Sequence, residues 1–494
     1  MSEKNAETHT KTSLLGRAFN YANNGLTITG TILVTLSALA IIIFLAAEFS
    51  GGMRNPYSGI FAYLILPVVF VAGLILIPIG MARRRRRLIA EGVSEAARAR
   101  YPRLDFNDPH LRKIATVVLL LTAVNAVIFG FTSYKAVDYS ESTSFCGETC
   151  HTVMQPEATA YEESPHSRVA CVECHIGPGA EWYVRSKLDG LRQVWKTAFD
   201  TFHRPVGTPL QTLRPARETC EECHWPAKHY GDKVRVFARF DTDEANTPSY
   251  TAMVLKTGGG RLDLGQHGGI HWWHIYSDNR IRYYATDERR EEIGWVELTT
   301  PDGEVHTYTR EGEELPPQEV IEAEARVMDC IDCHNRPTHL FKVPSKAIDD
   351  RMLAREQLAS LPYFKREALA TIEGEYPTHE AGKTAVYEAM VSFYEENYPE
   401  LASDQRELVE EGAREAAGVY GRSVFPEMDT NWETHPNHIG HDDFPGCWRC
   451  HDEELATADY EHVISIDCEM CHTFPVEGSE EPPEITAMIT GEEG

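Results

Sequence analysis

The fold class that this sequence predicts is an anchor of three transmembrane helices followed by a mostly α-helical and irregular water-exposed domain with a β-rich insertion. Two observations carry that expectation. Three long apolar runs lie before Tyr134 and none after it, and all 12 cysteines fall in six close pairs, each followed immediately by a histidine. The mean hydropathy of −0.35 averages two unlike parts. Up to Lys135 there are 15 basic and 7 acidic residues; the remainder of the 494 carries 32 basic and 68 acidic ones, a net −36. So acidic a major part repels phosphate instead of displacing its counterions, which argues against a nucleic-acid partner.

The anchor, residues 1–135, comes first. Leu26 to Ala47, Ile60 to Met81 and Ile114 to Tyr134 each approach the ~20 apolar residues that cross a bilayer as a helix. The first run is too long for a signal-peptide core and lacks a convincing A-x-A site, so it reads as an uncleaved anchor. Pro67 and Pro78 should bend the second span. Arg83 to Arg87, Arg98, Arg100, Arg103, Arg112 and Lys113 fill the connection between the second and third spans. Positive loops stay cytoplasmic, which puts the amino terminus inside and everything after the third span outside. A nuclear-localisation reading of the arginine run is set against its place directly beside a span.

The cysteine pairs come next. They are Cys146, Cys150, His151; Cys171, Cys174, His175; Cys220, Cys223, His224; Cys330, Cys333, His334; Cys447, Cys450, His451; and Cys468, Cys471, His472. Five read C-x-x-C-H, and the first, CGETCH, is longer by one residue. C-x-x-C-H attaches c-type haem: both thiols form thioethers to the vinyl groups, and the adjacent imidazole ligates the iron from one face. Structural zinc would require three-ligand units to pair into four-ligand sites. Disulfides would leave six histidines unexplained. The expectation is six covalent haem c groups with His151, His175, His224, His334, His451 and His472 as proximal ligands, hence a membrane-anchored multihaem cytochrome. In bacteria haem is attached on the outer side of the inner membrane, so topology and cofactor agree on a multi-pass inner-membrane protein with a periplasmic haem domain.

The remaining segments follow in order. Residues 136–230 carry three motifs with little room for regular structure, so haem would form the core there. Residues 231–325 read as β, with alternating Val234 and Val236, strands at Tyr250 to Leu255 and Ile281 to Ala285, and a hairpin from Trp295 to Tyr308 turning at Pro301, Asp302 and Gly303. Gly258 to Gly260 is a loop, since no Lys-Ser/Thr follows to make a phosphate cradle. Residues 326–345 hold the fourth motif. Residues 346–423 are rich in Ala, Glu, Leu and Arg at helical spacing, broken by Pro362 and Pro377, and read as a helical spacer. Residues 424–474 carry the last two motifs, and 475–494 form an acidic tail of disordered composition.

The run FCGETCHTVMQPEATAYEESPHSRVACVECH, with the later WYVRSKLDG and ETCEECHWP, resembles the NapC/NirT/NrfH family of membrane-anchored multihaem quinol dehydrogenases over roughly residues 114–230. CIDCHNRPTH and HPNHIGHDDFPGCWRCHD look like the extended members found among inner-membrane cytochromes of metal-respiring and other anaerobic bacteria. The resemblance implies oxidation of (mena)quinol at the outer face of the inner membrane and passage of electrons along a haem wire to periplasmic acceptors in anaerobic respiration. It implies a Met ligand at the first haem, for which Met154 is the nearest residue, and a distal role for His166 at a different haem. It implies that Lys187, twelve residues after His175, lies near the bound quinol, with Arg185 a weaker neighbour.

Other distal ligands must be histidines outside the motifs. His271, His274, His339, His438 and His441 are the choices, with His203, His229, His435 and His462 in reserve. Bis-histidine irons are six-coordinate and suit electron transfer; an open iron among the later haems would instead make a terminal reductase of a small nitrogen or sulfur compound. A haem-based sensor would need one haem and no wire. Partners expected are the membrane quinol pool, the bilayer, and a periplasmic cytochrome or reductase that the negative field would draw in if it is basic; a homo-oligomer is left open.

Overall fold

A computed structural model of the chain describes residues 20–49, 66–94 and 109–483, with 18 and 107, and without 150, 178, 210–213, 226–230, 260–267 and 276–278. The chain divides into two units, Met1–Ser140 and Glu141–Gly494.

The first unit holds α1 (Gly25–Phe49), α2 (Leu66–Ala90) and α3 (Pro109–Ser140). Among the described residues two helices, at Gly25–Ile43 and Ala115–Ser140, are long and apolar enough to cross a membrane, where the sequence predicts three. The difference lies in α2. Its apolar stretch stops at Ala82, where five arginines continue the same helix instead of forming the expected loop, and residues 60–65 of the predicted span are outside the described part. Pro78 sits inside α2 without ending it. The hydroxyls of Thr31, Thr35 and Ser37 donate to carbonyls one turn back at 2.9, 2.9 and 2.6 Å, so α1 carries its polar side chains at little cost. Gly30 and Gly73 let α1 and α2 meet backbone to backbone: a Cβ on Gly30 would lie 2.8 Å from the Gly73 carbonyl oxygen.

The second unit opens with short helices, α4 (His151–Glu162), α5 (Cys171–His175), α6 (Ala180–Ala198) and α7 (Ala216–Cys220). Of the described residues between 141 and 225, only Pro156, Ala160 and Ala216 are buried. A stretch of that length cannot hold itself together on three small buried side chains, so it needs another core.

The insertion then supplies β1 (Lys233–Phe240), β2 (Pro248–Leu255), α8 (Ile270–Ile275), β3 (Arg280–Ala285), β4 (Ile293–Thr299) and β5 (Val305–Arg310). Next are α9 (Gln318–Glu324), β6 (Arg326–Val327) and α10 (Cys330–Cys333). The β4–β5 hairpin pairs Thr299 with Val305 across a turn in which Gly303 has φ 89°, a conformation that favours glycine. Two further strands, β7 (Leu455–Ala456) and β8 (His472–Ser479), come from the carboxy-terminal segment. The sheets run β1-β2-β8 and β6-β3-β4-β5-β7, so the last two motifs are stitched to the insertion at one edge of each sheet. The predicted tail therefore starts too early: Pro475 lies within β8, which satisfies the open edge of β2, and only 484–494 fall outside the described residues.

Five helices complete the unit: α11 (Pro344–Ala354), α12 (Phe364–Ile372), α13 (His379–Asn397), α14 (Pro399–Asp404) and α15 (Arg406–Ser423). They enclose the largest apolar core, with Ile348, Met352, Leu361, Phe364, Met390, Tyr394 and Tyr420 fully buried. Inside it Lys365 pairs with Asp349 at 2.7 Å, and Asp349 also accepts the Phe240 backbone N–H at 3.1 Å, tying the helices to β1. The stretch expected as a helical spacer thus carries a buried apolar core, to which Phe240 of β1 also contributes.

Candidate haem sites

The five later motifs each begin on a short helical turn, which is what gathers their cysteines and histidine within a few residues of backbone. His224, His334 and His451 donate backbone N–H bonds to the carbonyls of Cys220, Cys330 and Cys447 at 2.8, 2.8 and 3.1 Å. The first motif differs as its length requires: Phe145–Thr149, with Cys146, is a π-helix, whose turn holds about one residue more than an α turn. Cys150 and the His151 side chain lie outside the described residues.

The interior residues of two motifs do more than the sequence discloses. Asp332, in CIDCH, is buried and accepts from Tyr283 Oη and Arg326 Nε, both at 2.7 Å, while its second oxygen accepts the Asp329 backbone N–H at 2.6 Å to close a capping box at the start of α10. Arg449, in CWRCH, donates to the carbonyls of Asp332 and Arg290, both at 2.7 Å, and so locks the fifth motif to the fourth. Their only signal is a charge at a variable position.

Five motif histidines face a histidine from elsewhere in the chain. Ring centroids are separated by 6.0 Å for His224 and His166, 6.2 Å for His175 and His339, 6.3 Å for His334 and His271, 5.8 Å for His451 and His274, and 6.0 Å for His472 and His441. An iron bonded at about 2 Å to one nitrogen of each ring holds facing centroids roughly 6 Å apart. The donor set therefore fits haem iron between each pair. The hydrogen bonds agree: Nδ1 of His166, His274, His339 and His451 lies 3.3, 2.8, 3.0 and 2.9 Å from the carbonyl oxygens of Pro337, Ile270, Glu157 and Ser465. A ring that donates from Nδ1 presents Nε2 to a metal. Burial holds His175, His274, His334 and His339 below the ordinary imidazole range, in the neutral form that ligation needs.

His438 is the exception among the expected distal ligands. It is buried, its backbone N–H donates to Asn335 Oδ1 at 2.9 Å, and its ring lies by Arg449 and Arg290 rather than opposite a motif histidine. The reserves are also placed elsewhere. His435 Nδ1 meets Thr208 Oγ1 at 3.1 Å, His462 packs edge-on to His306 at 4.7 Å, His203 is exposed, and His229 is outside the described residues. Met154, on α4, is half-buried, and the ring it would face is that of His151, which is not described.

The motifs also adjoin one another in sequence order. Cys146 and Cys171 share a thiol hydrogen bond, as do Cys220 and Cys330. Cys174 lies within electrostatic reach of Cys220 and Cys223, Cys333 of Cys447 and Cys450, and Cys471 of Cys447. No motif has to be skipped to pass from the first to the sixth.

The comparisons with known proteins bear on this arrangement. A model of the NapC/NirT cytochrome c family, N-terminal region, matches residues 109–207. The cytochrome c-type protein ImcH of Geobacter sulfurreducens is 40% identical over 95% of this chain and 91% of its own length. The chain belongs to the NapC/NirT cytochrome c family. The cytochrome c-type protein NrfH of Wolinella succinogenes is 26% identical over 22% of the chain and 63% of its own length. No solved structure matches. As a NapC/NirT cytochrome the protein is a membrane-anchored multihaem carrier in electron transport, with haem c attached through its cysteines.

In this NapC/NirT chain Lys187 projects from α6, where its Nζ lies 3.3 Å from Glu141 Oε1 and 5.0 Å from the centre of the Tyr183 ring. Arg185 is 5.3 Å from the Trp182 ring, and Asp189 pairs with Arg192 at 3.6 Å. Glu141, a carboxylate beside the lysine, has no motif to announce it.

Proposed function

We propose that the protein is a hexahaem quinol dehydrogenase of the bacterial inner membrane, which takes electrons from (mena)quinol and delivers them to a periplasmic acceptor. The observation that carries this reading is the unbroken succession of six motifs, starting six residues beyond the end of the last spanning helix. Three spans, with the apolar run from Ile60 to Met81 as the second, hold the arginine-rich end in the cytoplasm and the haem domain outside. His166, His339, His271, His274 and His441 would be the second protein ligands of the haems held at His224, His175, His334, His451 and His472, and Met154 would serve the haem of the first motif.

When bound, the haems supply one-electron carriers at close spacing. Lys187 hydrogen-bonds a quinol oxygen and stabilises its deprotonated form, because a charge-assisted bond to an anion is stronger than one to a neutral hydroxyl. Glu141 accepts the proton. Each quinol gives up two electrons and two protons on becoming quinone, and the protons leave on the periplasmic side. Paired imidazoles at the five later sites count against a terminal reductase, which needs an open iron far from lipid. A spectroscopic count of high-spin haem in the purified protein tests this: at most one, at the first motif, is expected. Two or more, together with partner-free turnover of nitrite or sulfite, would favour the reductase.

A further inference from the structure

Helix α6 turns its apolar face away from the protein. Val184, Leu188, Leu191, Trp195 and Phe199 recur at helical spacing and are each more than half exposed, Leu191 at 69%, whereas Tyr183, Ser186, Lys187 and Gly190 on the opposite side are partly buried. A contiguous apolar stripe of this kind on a water-facing helix marks a surface that something covers. We infer that α6 lies flat against the bilayer, as a second membrane attachment of the protein.

Three observations select lipid as the occupant. Lys187, on the inner side of α6, is ion-paired to Glu141, so α6 is tethered to the residue covalently joined to the end of α3 at Ser140. Although the chain after Lys135 carries −36, α6 holds four basic residues and two acidic ones. Arg185, Arg192 and Lys196 border one flank of the stripe, where lipid phosphates would meet them. Finally, Trp195 and Phe199 stack at 4.3 Å at the end of the stripe, the kind of aromatic pair that settles at the headgroup boundary. This inference rests on membrane anchoring and not on the quinol reading.

The test uses the full-length, haem-loaded protein in phosphatidylethanolamine/phosphatidylglycerol vesicles containing a carbene-generating probe confined to the acyl chains. Peptide mapping after illumination should show labelling of residues 184–199 at least several-fold above that of the exposed Trp273 and Ile439, and Leu188→Glu with Leu191→Glu should remove most of it while haem absorbance is retained. Labelling of wild-type α6 no greater than at Trp273 and Ile439 would overturn the inference. So would a chemical cross-link joining α6 of two copies, which would make a second chain the occupant.

Discussion

An imidazole whose ring faces a motif histidine about 6 Å away is a metal ligand in waiting, and the histidines of this protein sort by that criterion. His339, held by the Glu157 carbonyl and opposite His175, belongs to the ligand class; His438, three residues from the ligand candidate His441, does not. Replacing His339 by Gly should convert one low-spin haem to high-spin and shift one midpoint potential, read by magnetic circular dichroism. His438→Gln should leave the spectrum unchanged; a new high-spin signal there would show the assignment to be wrong. Burial first, then Arg336 for His435 and Arg449 for His438, holds both imidazoles down to about 4. Unfolded, they would titrate near 6.5, so the unfolded chain binds more protons between these values. Stability is therefore full above pH 6.5 and falls as pH drops towards 4, each histidine costing up to about 3 kcal/mol, and the Gln variants should flatten that slope in thermal melts. At this scale the motif histidines are legible as candidates from the sequence alone, because the chemistry of attachment fixes their spacing to the thiols. The distal choice was only partly so: His438 and His441 look alike in sequence, and what separates them is the company of Arg449 and Arg290.

Among the elements, the first motif is the case in which length and geometry answer each other. The π turn at Phe145–Thr149 takes up the residue by which CGETCH exceeds the other motifs, so intact-mass analysis should show six haem increments. Five, with Cys146 and Cys150 unmodified, would mean that the longer motif is not used. In the helical domain, Lys365→Ala strands Asp349 as a buried unpaired charge, a loss of about 3–5 kcal/mol that thermal unfolding should register with haem content unchanged. The hairpin at Asp302 and Gly303 was readable because turn chemistry is local. Strand β8 was not, since its acidic, proline-bearing sequence resembles a tail until the edge of β2 gives it a partner. The run of Arg83 to Arg87 resembled a loop for the opposite reason: charge marked the end of the apolar span but not the end of the helix.

For the molecule as a whole, the acidic part after Lys135 sets a field that the propionates of bound haem would deepen where ionised. If that field serves docking, reoxidation of the reduced protein by a basic cytochrome should slow steeply between 0.1 and 1 M salt, as the screening length shrinks from ~10 to ~3 Å, and an acidic cytochrome should be slow throughout. Equal, salt-independent rates would reduce the charge to solvation. The order of the motifs was legible as a list but not as a path: only the folded chain shows Cys174 beside Cys220, Cys333 beside Cys447, and Cys471 closing on the fifth motif. The central claim is that this path begins at a quinol site, and stopped-flow reduction of the full-length protein in lipid by a menaquinol analogue tests it most directly. The account predicts reduction of all six haems, at a rate lowered at least tenfold by Lys187→Gln and shifted in its pH profile by Glu141→Gln. Haems that dithionite reduces but the quinol does not would contradict it.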